Sequence, residues 1–187
     1  MKELTDSYLK TLVPLCEKGD RSAQKQVFNA LYSKMLSVCM RYYKDHDKAQ
    51  DILQEGFIKV FSNLHKYDSN GSFEGWARRV IVNTAIDELR KKQHNLVSVD
   101  ASSYDWLEDE GDGEIEWNEF LFDNRNTVLE AVQNLSPAYK AVFNLYVIEG
   151  YSHQEVADML GVTVGTSKSN LAKAKMALRK ELKTLIE

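Results

Sequence analysis

Residues 151–179 read YSHQEVADMLGVTVGTSKSNLAKAKMALR, and this stretch decides the fold. Ser152-His153-Gln154-Glu155 has the form of a capping box, in which a Ser hydroxyl and a Glu carboxylate satisfy reciprocal backbone donors at a helix start. A short helix then turns Val156 and Leu160 inward, with Ala157 small beside them. Gly161 ends it, where a left-handed residue costs little. Val162 can plug the core, and Thr163 caps a second helix expected to run to about Leu185. A small residue, a glycine four later, an apolar residue and a new helix make helix-turn-helix spacing.

The second helix has two faces. Leu171, Ala174, Leu178, Leu182 and Leu185 form an apolar stripe, while Lys168, Ser169, Lys173, Lys175 and Arg179 are polar or basic. Residues 163–187 hold six basic and two acidic side chains. The first residues of such a helix enter a major groove, and its lysines pair with phosphates. A solvated amphipathic helix would show the same charges. The capped turn ahead of it favours duplex DNA.

Outward from this motif, the pattern stays helical. Val27, Phe28, Leu31, Met35, Cys39 and Tyr42 recur at helical spacing, as do Leu53, Phe57, Val60, Phe61 and Leu64. Residues 73–89 are apolar over most of a helix circumference, which suits burial in a bundle. The run Asp68-Ser69-Asn70-Gly71-Ser72 is a break. Only residues 96–99 have strand character, and from about 93 to 126 helical periodicity fades. Helices resume at Thr127, and Ser136-Pro137 reads as an N-cap followed by proline at the first helical position. The expected fold is all-α: two small helical domains, 1–92 and 127–187, joined by an acidic linker over 93–126.

Charge follows that division. The 187 residues carry a formal net charge of −4, from 24 basic and 28 acidic side chains. Ten of the acids lie between Asp100 and Asn124, a segment without Lys or Arg. Outside it, 24 basic residues face 18 acidic ones, so a basic molecule is interrupted by an acidic insert. A polyanionic partner therefore stays open. A composition of 43% apolar and 28% charged residues is globular. No apolar run approaches the ~20 residues needed to cross a bilayer, and residues 1–20 lack the pattern of a secretory signal. Cys16 and Cys39 stand apart from any Cys/His cluster, so no metal is expected, and Cys39 falls on an apolar face. None of the four histidines has a plausible partner nearby in sequence. With no phosphate-cradling glycine loop and no nucleophile–base pair, neither a cofactor nor an enzymatic activity is expected.

Two further faces stand out. Arg79, Asn83, Asp87 and Arg90 fall at i, i+4, i+8 and i+11, a polar stripe on an otherwise apolar helix. Solvation accounts for it; so does contact with unpaired bases, with Arg90-Lys91-Lys92 on phosphates. Trp76 could stack on a base, although Trp on such a face is usually core. Asp51, Gln54 and Glu55 oppose an apolar face, either as a solvated edge or as a docking surface for a basic partner.

Together these segments resemble the extracytoplasmic-function class of bacterial sigma factors, the smallest specificity subunits of RNA polymerase. AQDILQEGFIKVFSNLHKY (49–67) is similar to the polymerase-binding helix of sigma region two, and SFEGWARRVIVNTAIDELRKK (72–92) to its promoter-melting helix. Residues 135–182 resemble region four. The resemblance implies a cytoplasmic protein that binds core RNA polymerase and directs it to promoter DNA. Asp51, Gln54 and Glu55 would grip the polymerase clamp. The 68–72 loop, with Asn70, and Asn83 would hold a base flipped from the −10 strand, which Arg79, Thr84 and Arg90 would line. Thr166, Lys168, Ser169, Asn170 and Lys173 would read or position the −35 element. An anti-sigma factor is the expected regulator.

This sequence departs from the class where Ser167 replaces a common Val, and where Asn170, Lys173 and Lys175 replace Arg. Lysine attracts phosphate but does not make the bidentate contact of a guanidinium with guanine. The acidic connector is either a spacer or a mimic of nucleic acid that lies in basic polymerase channels. A stand-alone helix-turn-helix regulator is the rival reading, and it would bind duplex DNA tightly without polymerase.

Overall fold

The computed structural model describes residues 5–92 and 125–182. The chain divides into two compact units, Met1–Glu88 and Leu89–Glu187. Every regular element among the described residues is helical, as the sequence predicts. The strand character at 96–99, most of the connector, and Leu185 lie outside the described residues.

The first unit is a bundle of α1 (Asp6–Glu17), α2 (Arg21–Tyr42), α3 (His46–Ser62) and most of α4 (Phe73–Lys92), with a 3-10 turn at Leu64–Lys66. Local chemistry starts the helices. The carboxylate of Asp20 accepts from the Ala23 amide at 2.9 Å, and that of Asp45 from the Asp47 amide at 2.9 Å. Such caps satisfy donors that the first turn leaves open. Leu31, Met35, Ile52, Leu53, Val60, Phe73 and Ile81 are almost wholly buried and form the core. Both cysteines are buried within it. Burial pushes the Cys16 thiol up to about 11 and the Cys39 thiol up to about 12.

Cross-links orient α4 in this core. The Tyr43 hydroxyl donates to the Ala85 carbonyl at 3.0 Å, and Lys48 pairs with Glu88 at 2.9 Å. At Gly56 the two helices come very close: a Cβ there would lie 2.8 Å from Ile81 Cγ1.

The second unit contains α5 (Arg125–Asn134), α6 (Pro137–Phe143), a π-helical turn (Asn144–Ile148), α7 (His153–Leu160) and α8 (Val164–Glu181). Helix α5 starts two residues before the expected Thr127. Pro137 opens α6 as expected, but the Ser136 side chain makes no capping bond. The buried Lys140 donates instead to the Gln133 carbonyl at 2.6 Å, tying α6 to the end of α5. Helix α8 packs on α6 and α7 through Leu171, Ala174 and Leu178.

Candidate nucleic-acid interface

On α4, Arg79, Asn83, Asp87 and Arg90 are all exposed. The expected stripe is therefore real, and its inner boundary is Thr84. That residue is buried, and its hydroxyl donates to the Val80 carbonyl at 2.8 Å. Thr84 thus forms a floor rather than a probing side chain. Beside the stripe lies an open groove of about 230 Å³, lined by Lys59 of α3, Asn63 at its end and Lys66 of the 3-10 turn, and by Trp76, Val80, Asn83, Thr84 and Asp87 from α4. Trp76 is half-buried and stacks on Phe73 (5.9 Å between ring centres, 28° between planes), with Tyr67 at 5.6 Å. It is neither plain core nor a free platform. It packs on the aromatic cluster and also lines the groove.

Two cations, two carboxamides and an indole, with the single carboxylate of Asp87 set against Lys59, suit an unpaired nucleotide. Lysines attract phosphate, Asn bonds base edges, and aromatic rings stack on bases. The contributors from α3 and the turn after it were not singled out from sequence, although Lys59, Asn63 and Lys66 recur at i, i+4 and i+7. Lys59 also pairs with Glu55 at 3.0 Å and approaches Asp87 at 3.9 Å.

The 68–72 loop is a separate, pre-shaped feature. Asp68 accepts from the Asn70 amide at 3.0 Å and from its side chain at 3.3 Å. The Tyr67 hydroxyl donates to the Gly71 carbonyl at 2.7 Å, and Ser69 is left-handed at φ 65°. From α1, Asp6 accepts from the Ser72 hydroxyl at 2.8 Å and the Glu74 amide at 3.1 Å. Burial works to raise the Asp6 carboxyl, but those hydrogen bonds and Lys10 outweigh it and hold the group below its usual value. Asn70 is exposed and outside the lining of the groove that holds Asn83.

On α3, Asp51 and Gln54 are exposed and Glu55 half-exposed, opposite buried Ile52, Leu53, Phe57 and Val60. The same face carries Ile58, 66% exposed, which the sequence reading passed over.

In the second unit the helix-turn-helix forms as its spacing implies. Ser152 accepts from the Glu155 amide while Glu155 accepts from the Ser152 amide at 2.8 Å. Gly161 is left-handed at φ 67°, and Thr163 caps α8 through the Thr166 amide at 3.0 Å. Lys168 and Ser169 are exposed, and Thr166 and Lys173 half-exposed. Asn170 differs: it is 8% exposed and belongs to the inner side of α8. His153, which lacks a partner nearby in sequence, has one in space. Its Nδ1 lies 2.9 Å from Ser167 Oγ, and its ring stacks on Tyr146 at 4.2 Å. Burial first, then Lys168 and Lys175, hold this imidazole below its usual value.

Residues 27–95 match the family Sigma-70 region 2, and residues 125–178 match Sigma-70, region 4. The two matches fall in order on the two units. The chain belongs to the extracytoplasmic-function sigma factors of the sigma-70 family. Among similar proteins, this sigma factor is 27% identical over 183 residues to the ECF RNA polymerase sigma factor SigW of Bacillus subtilis, covering 95% of this chain and 98% of that one. It is 29% identical to the RNA polymerase sigma-H factor of Pseudomonas aeruginosa, with 98% of both chains covered. In fold it resembles the sigma factor RpoE of Bartonella quintana, solved with the anti-sigma factor NepR, at a TM-score of 0.52 and 19% identity over 85% of this chain and 96% of that one. Among the described residues of the sigma factor, no helix is long and apolar enough to cross a membrane, and no cluster of His, Cys, Asp and Glu could hold a metal ion.

Proposed function

We propose that this sigma factor docks on core RNA polymerase through the α3 face of Asp51, Gln54 and Glu55, with Ile58 as its apolar centre. An exposed isoleucine among polar residues is the composition of a contact that loses water on binding. In the same reading, the groove of α3 and α4 receives the non-template −10 strand as the duplex opens. Asn83, Arg79 and Arg90 face that strand, Lys59 and Lys66 meet its phosphates, and Thr84 supports the groove from below. The 68–72 loop with Asn70 selects a flipped base next to it. Unstacking a base costs a few kcal/mol, which hydrogen bonds from the loop and Asn83 offset.

The second unit docks on duplex DNA at −35. Lys168, Ser169, Thr166 and Lys173 meet the groove and its phosphates, while Asn170 supports the helix from its inner side. The polymerase supplies all the bond-making, and the sigma factor performs no catalysis of its own. It works in the cytoplasm, where polymerase and promoter DNA are. The sigma factor RpoE of Bartonella quintana is described in complex with an anti-sigma factor, and a protein of that class is the proposed regulator here.

The observation that carries this reading is the order of the two family matches on two helical units, the first with a polar groove and the second with a capped helix-turn-helix. Run-off transcription from a genomic fragment library, with core polymerase plus or minus this protein, tests it. New start sites sharing paired upstream motifs are expected. Start sites that do not change with the protein present would overturn it.

A further inference from the structure

Ser167 is the fourth residue of α8, and no part of it reaches solvent. Its neighbours Thr166 and Lys168 lie toward the surface that the proposed function gives to DNA. A hydroxyl in such a place needs a partner. His153, the first residue of α7, brings Nδ1 to 2.9 Å from it. The other side of the arrangement is fixed too, because the imidazole stacks on Tyr146 with centres 4.2 Å apart and planes 23° apart. Tyr146 belongs to the π-helical turn before α7. Three consecutive segments are thus joined by one stack and one hydrogen bond.

Elsewhere α8 is held at its far end by a side-chain hydrogen bond, from Asn134 to the Glu181 carboxylate at 2.9 Å, and along its length by contacts of another kind. Leu171, Ala174 and Leu178 hold it through apolar packing. Apolar attraction is not directional, so it resists separation of the helices more than a roll of α8 about its own axis. A hydrogen bond has a required length and angle. Placed one residue before Lys168 and two before Ser169, it acts at the end of α8 offered to the groove.

We propose that His153 and Ser167, with Tyr146 behind them, are positioning residues that set the roll of the recognition helix and thereby the base discrimination of the sigma factor at −35. None of the three touches DNA. With the proton of the neutral imidazole on Nε2, Nδ1 accepts from the Ser167 hydroxyl. The inference rests on the proposed −35 role of α8.

The test uses the full chain in holoenzyme with core polymerase. Transcript yield is compared between a promoter recovered by run-off mapping and copies of it with single-base changes at −35. His153→Phe keeps a ring on Tyr146 and removes the nitrogen. Ser167→Ala removes the hydroxyl. Each is expected to lower the discrimination ratio about five- to tenfold, the lower end of what a well-placed base contact provides. The response to base changes at −10 is expected to stay as it is. The double variant should be no worse than either single one, and His153→Asn, whose Oδ1 can stand where Nδ1 was, should recover most of the ratio.

Single variants with native ratios, or effects that multiply in the double variant, overturn the inference. So does an equal loss of discrimination at −10 and −35, which would mean general loosening. If the native holoenzyme starts no transcript, the proposed function fails and this inference with it. If transcripts start normally and only the variant pattern is absent, this inference alone fails.

Discussion

Asn83 and Gly56 show what a single residue does here. Asn83 was legible because a carboxamide on a stripe of period 3.6 must face solvent or a ligand. Its exposure beside Lys59, Lys66 and Trp76 adds the groove, which the sequence could not show because that groove joins residues of two helices. Asn83→Ala should keep core-polymerase binding and lose open-complex formation. Permanganate reactivity of the −10 strand, measured alongside a pull-down of core polymerase, separates the two. Gly56 was not legible at all, since its reason lies 25 positions away in Ile81. Alanine at Gly56 gains about 1 kcal/mol of helix propensity. Against this, a Cβ at 2.8 Å from the fully buried Ile81 overpacks the core, at about 1–3 kcal/mol. Gly56→Ala should therefore destabilise the protein on balance, and a melting temperature above that of the native chain would contradict it.

At the scale of elements, the helix-turn-helix was readable to the residue. Its box, its left-handed glycine and its threonine cap are local chemistry, complete within a dozen residues. The first helix was not readable in this way. Leu9, Leu12, Val13 and Cys16 do form a buried stripe, but Pro14 inside it argues against a helix from sequence alone. His153 and Ser167, 14 residues apart, also escaped notice until the turn brought them together. Their pairing has a pH signature. The His153 imidazole is held below its usual value, so the unfolded chain takes up the proton first as pH falls. Its contribution to stability is complete above the unfolded value, about 6.5, and is lost as pH falls from there through the folded value. Burial first, then Lys168 and Lys175 on α8, hold the imidazole down, while the Tyr146 ring stacks against it. Urea unfolding at pH 7.5 and at pH 5.5 should show a drop in stability that His153→Phe reduces. An equal drop in both proteins would assign the effect to groups other than His153.

For the whole molecule, an acidic insert in an otherwise basic chain is visible in charge alone, since removing ten acids turns a negative chain positive. Replacing Asp109, Glu110, Asp112 and Glu114 by Asn and Gln should change the ratio of abortive to full-length transcripts if the segment mimics nucleic acid. An unchanged ratio would make it a spacer. The two cysteines give the molecule one more property. Both lie in the core of the first unit, the second unit has none, and burial keeps both thiols protonated at neutral pH. Only a thiolate reacts with an alkylating reagent, so labelling must wait until that unit opens. The chain thus carries its own clock for the opening of one half. Polymerase should slow the clock, whereas a −35 duplex alone should leave it running at its native pace.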